Sequence, residues 1–254
     1  MPSLPFSRVG LNLFSRFGFR LQLRASGQKP EVPKPTSEAP IDINFAQVFI
    51  AFIVLLFSLT VHESAHAWTA DRLGDPTARE RGRVSLNPIV HADLIGTVIF
   101  PLLALLGNLP LIGWAKPVPV NVRRLRHPRR DHVIVAAAGP ASNLLLALAA
   151  AIGLWLIPVS PVILGEPNVS APVASLLSGA MQINVLLAVF NMLPIPPLDG
   201  GNVLGGLLPG RLAGMFNEIR PYGFLLLYAL MFTGRLNDLV GPPYYLLLSW
   251  LPQR

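Results

Sequence analysis

The feature that most constrains this chain is a set of apolar runs of near-bilayer length. Three of them are expected to cross a membrane as helices: span A from Phe45 to about Thr69, span C from Val133 to about Pro158, and span D from Val173 to Leu193. A helix needs about 20 apolar residues to cross the hydrocarbon core. Only 13% of the residues are charged, against about 25% in an average soluble domain. The chain is therefore predicted to be an integral membrane protein.

Two other apolar regions are less regular. Segment B, Leu94–Ile112, contains two prolines and two glycines and is a poor full-length span. The region Tyr222–Leu251 is interrupted by charged residues and a Gly-Pro-Pro sequence, so it provides one or two spans. We predict an all-α polytopic membrane protein with about four to six membrane segments. One segment is expected to be re-entrant or irregular, and a short β-hairpin is expected as well.

Residues 1–40 form a basic, proline-rich tail that precedes the membrane domain expected at 41–254. The tail could be an amphipathic helix on a membrane surface, an organellar transit peptide or a flexible extension. The net charge of +7 would suit a nucleic-acid partner, but most of the excess lies in two stretches that flank apolar segments. Membrane orientation explains this distribution, and no nucleic-acid partner is expected.

The sequence HESAH at the end of span A carries the candidate chemistry. His62 and His66 are four residues apart, so on a helix they lie about 40° apart in azimuth and about 6 Å apart along the axis, and both can reach one metal ion. Glu63 lies about 100° round the helix, where its carboxylate could act on a water molecule without being a ligand. A satisfied polar patch is the alternative, but three ionisable groups beside lipid are costly and favour a function.

A catalytic zinc ion has three protein ligands and an open position. The chain has no cysteine, so the third ligand must be a histidine or a carboxylate. Asp199 is the strong candidate because this lone carboxylate follows span D in the segment FNMLPIPPLDGG. The prolines of that segment exclude a regular helix, while Gly200 and Gly201 would allow a sharp turn that returns Asp199 toward the end of span A. A helix N-cap at Asp199 is the alternative.

Other acidic residues near HESAH have simpler explanations. Glu80 lies among arginines and is expected to form a solvated surface pair. Asp71 and Asp75 follow the helix and are expected to be turn or cap residues. An extended metzincin pattern is excluded because Thr69 and Arg72 stand where it requires glycine and histidine.

The chain resembles the site-2 protease family of intramembrane zinc metalloproteases in three ordered motifs. These motifs are HESAH in an apolar helix, AAAGPASN opening a second helix and NMLPIPPLDGG after a third. The resemblance covers about 45–208. It implies that His62, His66 and Asp199 bind one catalytic Zn²⁺ and that Glu63 is the general base. The implied function is hydrolysis of peptide bonds within or near transmembrane segments of membrane proteins. The alternative is a non-proteolytic membrane scaffold or transporter with the same metal ligands, which would not need Glu63.

The same resemblance implies that Asn191 helps to position the substrate or the active-site backbone. For Asn143 a hydrogen bond between packed helices is the simpler interpretation. The stretch GRVSLNPIVHAD is similar to that of the minimal subgroup without PDZ or CBS domains, and the role of its His91 stays open.

A single metal site requires spans A and D to end on the same side of the membrane. If A, B, C and D all crossed fully, these ends would lie about 30 Å apart, so segment B must be re-entrant or packed without crossing. The basic loops Arg72–Arg83 and Lys116–Arg130 then share a face. Their charge predicts that this face and the active site are cytoplasmic, in the cell (inner) membrane, with the N-terminal tail on the other side.

The segment Lys116–Asn121 is expected to be an edge strand. Its alternate prolines remove donors from one edge, while Val118 and Val120 direct their N–H groups to the other. We expect this edge to bind an unwound substrate segment by strand addition, with a structural hairpin as the alternative. The expected partners are a transmembrane protein substrate and the lipid bilayer.

Overall fold

The computed structural model describes residues 45–99, 116–157 and 170–252, and within these ranges the chain is helical. The α-helices of the described part are α1 (Phe45–Arg72), α2 (Thr77–Glu80), α3 (Pro88–His91), α4 (Pro128–Leu156), α5 (Ser170–Asn191), α6 (Asp199–Leu207), α7 (Gly210–Ile219), α8 (Gly223–Phe232) and α9 (Arg235–Trp250). A π-helix at Leu94–Ile99 and 3-10 turns at Val122–Arg124 and Arg220–Tyr222 complete them. The tail over 1–40 and the part of segment B at 100–112 lie outside the described residues.

Helices α1, α4 and α5 are long and apolar enough to cross a membrane. Their candidate spans, Phe49–Arg72, Pro128–Leu156 and Pro172–Asn191, contain 24, 29 and 20 residues, or about 36, 44 and 30 Å of helix at 1.5 Å per residue. They coincide with the predicted spans A, C and D. Two further stretches, Gly210–Phe232 and Arg235–Trp250, meet at a bend of 86° and could together count as a fourth span.

The surfaces of these helices are those of a membrane protein. Only 33%, 39% and 33% of the residues in the apolar windows of α1, α4 and α5 are buried inside the protein. Large apolar side chains on the same helices are exposed, among them Phe57 at 53%, Leu145 at 67% and Trp155 at 56%. Apolar surface of this extent needs a nonaqueous partner. The chain is therefore an integral membrane protein whose helices contact lipid.

Helix α4 is the centre of the bundle, where it packs against α1, α5 and α6, while α9 packs against α5. Small residues make this close packing possible. Ala147 and Ala151 of α4 are fully buried in one cluster with Val185 of α5 and Tyr244 of α9. The arrangement holds the C-terminal part of α1 beside the segment that follows α5.

The two basic loops lie against each other, as the sequence predicted. The N–H of Arg126 donates to the carbonyl of Leu73 at 3.0 Å. Arg124 forms an exposed ion pair with Glu80 at 3.0 Å, which confirms the surface role expected for Glu80. Asp71 pairs with an arginine of α2.

The predicted short β-hairpin is not supported, because no strand occurs within 45–99, 116–157 and 170–252. Residues 116–121 are irregular, and their backbone donors bond to three unrelated acceptors instead of a partner strand. Lys116 donates to the His91 carbonyl at 2.9 Å, Val118 to Glu63 Oε2 at 3.0 Å, and Asn121 to Asp75 Oδ2 at 2.6 Å. Asp75 also accepts from the N–H of Thr77 at 3.1 Å, so its predicted role as a turn residue is confirmed.

Candidate metal centre

Two histidines of α1 form one side of the candidate centre. HESAH lies inside the last three turns of the helix, so His62 and His66 are one turn apart on the same face. Both side chains are buried. Their Nε2 atoms are 3.0 Å apart and their rings meet almost edge to face, with 82° between the ring planes. The predicted helical placement of the pair is confirmed.

Asp199 reaches this pair from the segment that follows α5. The chain makes a series of turns over 192–198 and then enters α6, of which Asp199 is the first residue. The helix N-cap is Leu198, and the Asp199 side chain does not cap the helix. Asp199 Oδ2 lies 3.0 Å from His62 Nε2 and 3.3 Å from His66 Nε2. The structure thus brings the three predicted ligand side chains together.

Gly200 and Gly201 contribute to this approach in a different way from the one predicted. The sharp turn assigned to them is wrong, because both glycines are part of α6. A Cβ atom at Gly200 would lie 2.2 Å from the carbonyl oxygen of Met192, and one at Gly201 would lie 2.7 Å from Pro196 N. The glycines are required because α6 packs directly on the backbone of the preceding turns, which places Asp199 at the histidines.

The three ligand atoms suit a zinc ion. Tetrahedral zinc with ligand distances of about 2.0–2.1 Å separates its ligand atoms by about 3.3 Å, close to the 3.0–3.3 Å triangle of His62, His66 and Asp199. Asp199 Oδ2 is buried and has no hydrogen-bond partner among the described residues. A buried carboxylate oxygen without a donor is costly, and a cation at the centre of the triangle would satisfy it.

The outward ring nitrogens are also consistent with a metal site. His66 Nδ1 donates to the carbonyl oxygen of Val135 at 2.7 Å, and because a carbonyl only accepts, the neutral ring leaves its Nε2 lone pair for a metal. His62 Nδ1 lies 2.6 Å from Asn143 Oδ1. Both contacts come from α4, so this helix orients both histidine ligands.

Gly139 is a close neighbour of the candidate ligands that sequence reasoning did not single out. A Cβ atom at this position would lie 2.3 Å from His66 Nε2 and 2.6 Å from His62 Nε2, inside the metal centre. Glycine and proline are the two least favourable residues for a helix interior, yet Gly139 and Pro140 interrupt the alanine-rich start of α4. This cost in helix propensity was the available signal that the helix backbone must approach something closely.

The predicted general base lies next to the ligands but outside the triangle. Glu63 is half-buried, and its Oε2 accepts the N–H of Val118 at 3.0 Å. The segment 116–121 therefore lies beside the metal centre, although the Val118 N–H that was expected to face a substrate faces Glu63 instead.

Three other residues of the sequence analysis lie apart from the triangle. His91 is buried, and its Nε2 donates to the carbonyl of Ser85 at 2.8 Å. Asn191 donates to the Leu187 carbonyl of its own helix at 3.0 Å, and its role in positioning substrate stays a prediction. Val120 is half-buried, and no described residue accepts its N–H.

Comparison with known proteins agrees with this geometry. The family model described as Peptidase family M50 matches residues 50–233, which include every residue of the candidate centre. "Putative zinc metalloprotease YwhC" of Bacillus subtilis is 39% identical over 183 residues, covering 71% of this chain and 79% of the relative. "Putative zinc metalloprotease Rip2" of Mycolicibacterium smegmatis is 33% identical over 197 residues, covering 77% and 71%. No solved structure gives a significant match.

Proposed function

Because this chain belongs to peptidase family M50 and is a membrane-embedded zinc metalloendopeptidase, we propose that it hydrolyses peptide bonds within or near transmembrane segments of other membrane proteins. The observation that carries the proposal is the position of the metal centre, which is built from the end of a lipid-exposed helix. A protease of soluble substrates would have no reason to place ionisable groups there.

The depth of the centre supports a membrane substrate. Trp68 is 52% exposed, and the Arg72 guanidinium lies 5.0 Å from its ring centroid. An exposed tryptophan beside an arginine is typical of the membrane boundary. His66 and His62 precede Trp68 by two and six residues, or about 3 and 9 Å along the helix. The centre then lies just inside the hydrocarbon boundary, where it meets the end of a transmembrane substrate helix.

Each residue of the centre has a role in the proposed hydrolysis. His62, His66 and Asp199 would hold zinc, which when bound polarises the scissile carbonyl and lowers the pKa of water toward about 7. Glu63 takes the proton of the attacking water and later delivers it to the leaving amine. A non-proteolytic scaffold or transporter, the alternative function, would use the same three ligands but has no use for a base beside them.

A substrate helix must be unwound before its peptide bonds can be attacked, because its carbonyl and N–H groups bond to each other. We propose that the unwound substrate segment pairs with residues 116–121 through backbone hydrogen bonds, as in strand addition. The prolines of this segment have no N–H, which leaves the N–H groups of Val118 and Val120 as donors. The Val118 N–H is held by Glu63, so a substrate carbonyl that takes over this N–H frees the carboxylate for its role as base. Substrate docking and release of the base are then one event.

Replacement of Val118 by proline tests this role of the backbone donor. We expect Val118→Pro to lower kcat/KM for a transmembrane substrate about two- to tenfold, since the lost hydrogen bond from this backbone N–H to a neutral substrate carbonyl contributes roughly 0.5–1.5 kcal/mol. Val118→Ala keeps the N–H and is the matched control, expected to cleave at nearly the wild-type rate. Undiminished cleavage by Val118→Pro would exclude the proposed strand addition at this residue.

The basic loops support an orientation with the active site toward the cytoplasm of the cell (inner) membrane. They contact each other on the face where α1 ends. The chain has no cysteine, so a single Arg81→Cys substitution gives one thiol on this face. We expect an impermeant thiol reagent to label it in inverted vesicles but not in intact cells; the reverse pattern would contradict the orientation.

The experiment that tests the function is detection of cleavage products. Purified protein in liposomes should cleave a reconstituted transmembrane-helix substrate, lose this activity when a chelator removes its metal and regain it with zinc. Bound zinc without any product from several such substrates would favour the scaffold or transporter instead.

A further inference from the structure

A chain of buried polar side chains connects the metal centre to three membrane helices. Ser58 of α1, Asn143 of α4 and Asn184 of α5 are 1%, 0% and 2% exposed. They lie behind His62, on the side opposite Asp199, among otherwise apolar helix surfaces. Buried amides are costly unless their donors and acceptors are paired, so the direction in which each amide points is determined by its partners.

The direction can be worked out from one backbone carbonyl. The oxygen of Ala180 only accepts, so the Asn184 side-chain atom 2.8 Å from it is Nδ2. The same Nδ2 donates to Ser58 Oγ at 2.9 Å. The other atom, Asn184 Oδ1, therefore faces Asn143 and accepts from its Nδ2 at 2.8 Å. Asn143 Oδ1 is left for His62, 2.6 Å from Nδ1.

An oxygen acceptor at this position determines which ring nitrogen of His62 carries the proton. Nδ1 must be the donor, so the neutral ring has its lone pair on Nε2, the atom that faces His66 and Asp199. If the Asn143 amide were turned over, its NH₂ group would face Nδ1 and favour the other tautomer, with a proton on Nε2 where the metal binds. His66 has no such ambiguity because its partner is the Val135 carbonyl.

We propose that Asn143, itself oriented by Asn184 and Ser58, is a positioning residue that holds His62 in its metal-binding tautomer and ring orientation. This inference rests on the zinc site of the proposed function. It assigns to Asn143 more than the helix-packing hydrogen bond that its sequence context indicates. Partners behind metal-binding histidines typically contribute about 10–100-fold to metal affinity, which sets the size of the expected effect.

The test measures zinc affinity of the full purified chain by chelator competition. Asn143→Leu keeps the side-chain volume but removes the acceptor, and we expect it to weaken zinc binding about 10–100-fold. Asn143→Asp keeps an oxygen acceptor toward His62 but loses the donor to Asn184. Because the acceptor behind the histidine remains, this variant should bind zinc within about threefold of wild type, well short of the roughly 10–100-fold loss expected for Asn143→Leu. A residue that acts only in helix packing would show equal losses in both variants, or none, and either result would overturn the proposal.

The tautomer itself can be observed in the wild type, which avoids any variant that fails to fold. In ¹⁵N-histidine-labelled, metal-free protein above the imidazole pKa, His62 should show a protonated Nδ1 and an unprotonated Nε2, assigned by loss of the signals in His62→Gln. A proton on Nε2 would refute the inference. Wild type without stoichiometric zinc would refute the metal site instead, so the two failures are distinguishable.

Discussion

Replacing Glu63 by glutamine is expected to abolish proteolysis while leaving the metal centre intact. The amide cannot accept a proton from water, and loss of a general base costs about 10²–10⁴-fold in rate. The glutamine oxygen can still accept the N–H of Val118, to which Glu63 Oε2 is bound at 3.0 Å, so segment 116–121 should keep its position. The measurement is cleavage of a liposome-reconstituted transmembrane substrate together with zinc content.

Glu80→Gln is a suitable control because it also removes one carboxylate, in an exposed ion pair with Arg124. Exposed pairs contribute about 0–1 kcal/mol, so this variant should cleave at the wild-type rate. Cleavage by Glu63→Gln within about threefold of wild type, well short of the general-base effect, would show that Glu63 is not the base. A loss of zinc by the same variant would show that Glu63 is a ligand or a structural residue.

Replacing Gly139 by alanine is expected to destroy the metal centre. In an ordinary helix interior this change is stabilising by about 0.5–1 kcal/mol. Here the added Cβ atom would lie 2.3 Å from His66 Nε2, and the ring cannot move away without losing its hydrogen bond to Val135. We expect zinc affinity to fall by at least about 100-fold, the upper end of the range for lost ligand orientation, and proteolysis to fall with it.

Gly179→Ala is the matched control, since Gly179 also lies inside a membrane helix but a Cβ atom added there would meet no neighbouring atom within 4 Å. It should bind zinc and cleave substrate as wild type does. The two alanine variants separate steric intrusion into the centre from a general effect of glycine replacement in a membrane helix. Wild-type zinc affinity in Gly139→Ala would contradict the close approach of α4 to the histidines.

Much of the candidate site could be predicted because its signals are local. The spacing of His62 and His66 fixes their common face once the segment is helical. Asp199 was identified because it is a lone carboxylate after an uncharged span, and the proline-rich turns before it were correctly excluded from a regular helix. The membrane helices followed from apolar length alone, with boundaries close to those of α1, α4 and α5.

The incorrect predictions concern backbone groups whose partners are distant in the chain. The alternating prolines of residues 116–121 favoured a strand, but the N–H of Val118 found a side-chain acceptor 55 residues away in Glu63. Gly200 and Gly201 were assigned to a turn because glycine is common in turns. They are helical instead, and the absent Cβ atoms serve a close approach to the turns before α6.

By itself the sequence indicated that this chain is a membrane protein, that two histidines share one helix face, and that Asp199 was the strong candidate to join them. These conclusions depend on apolar length and helical period, which are properties of neighbouring residues. Only the tertiary structure decided that Gly139 lies beneath the ligands, that Asn143 stands behind His62 and that Val118 holds Glu63. The physical reason is that these contacts join residues up to 81 positions apart in the chain, at places where separate segments pack together. A local sequence pattern does not predict which atoms such packing brings into contact.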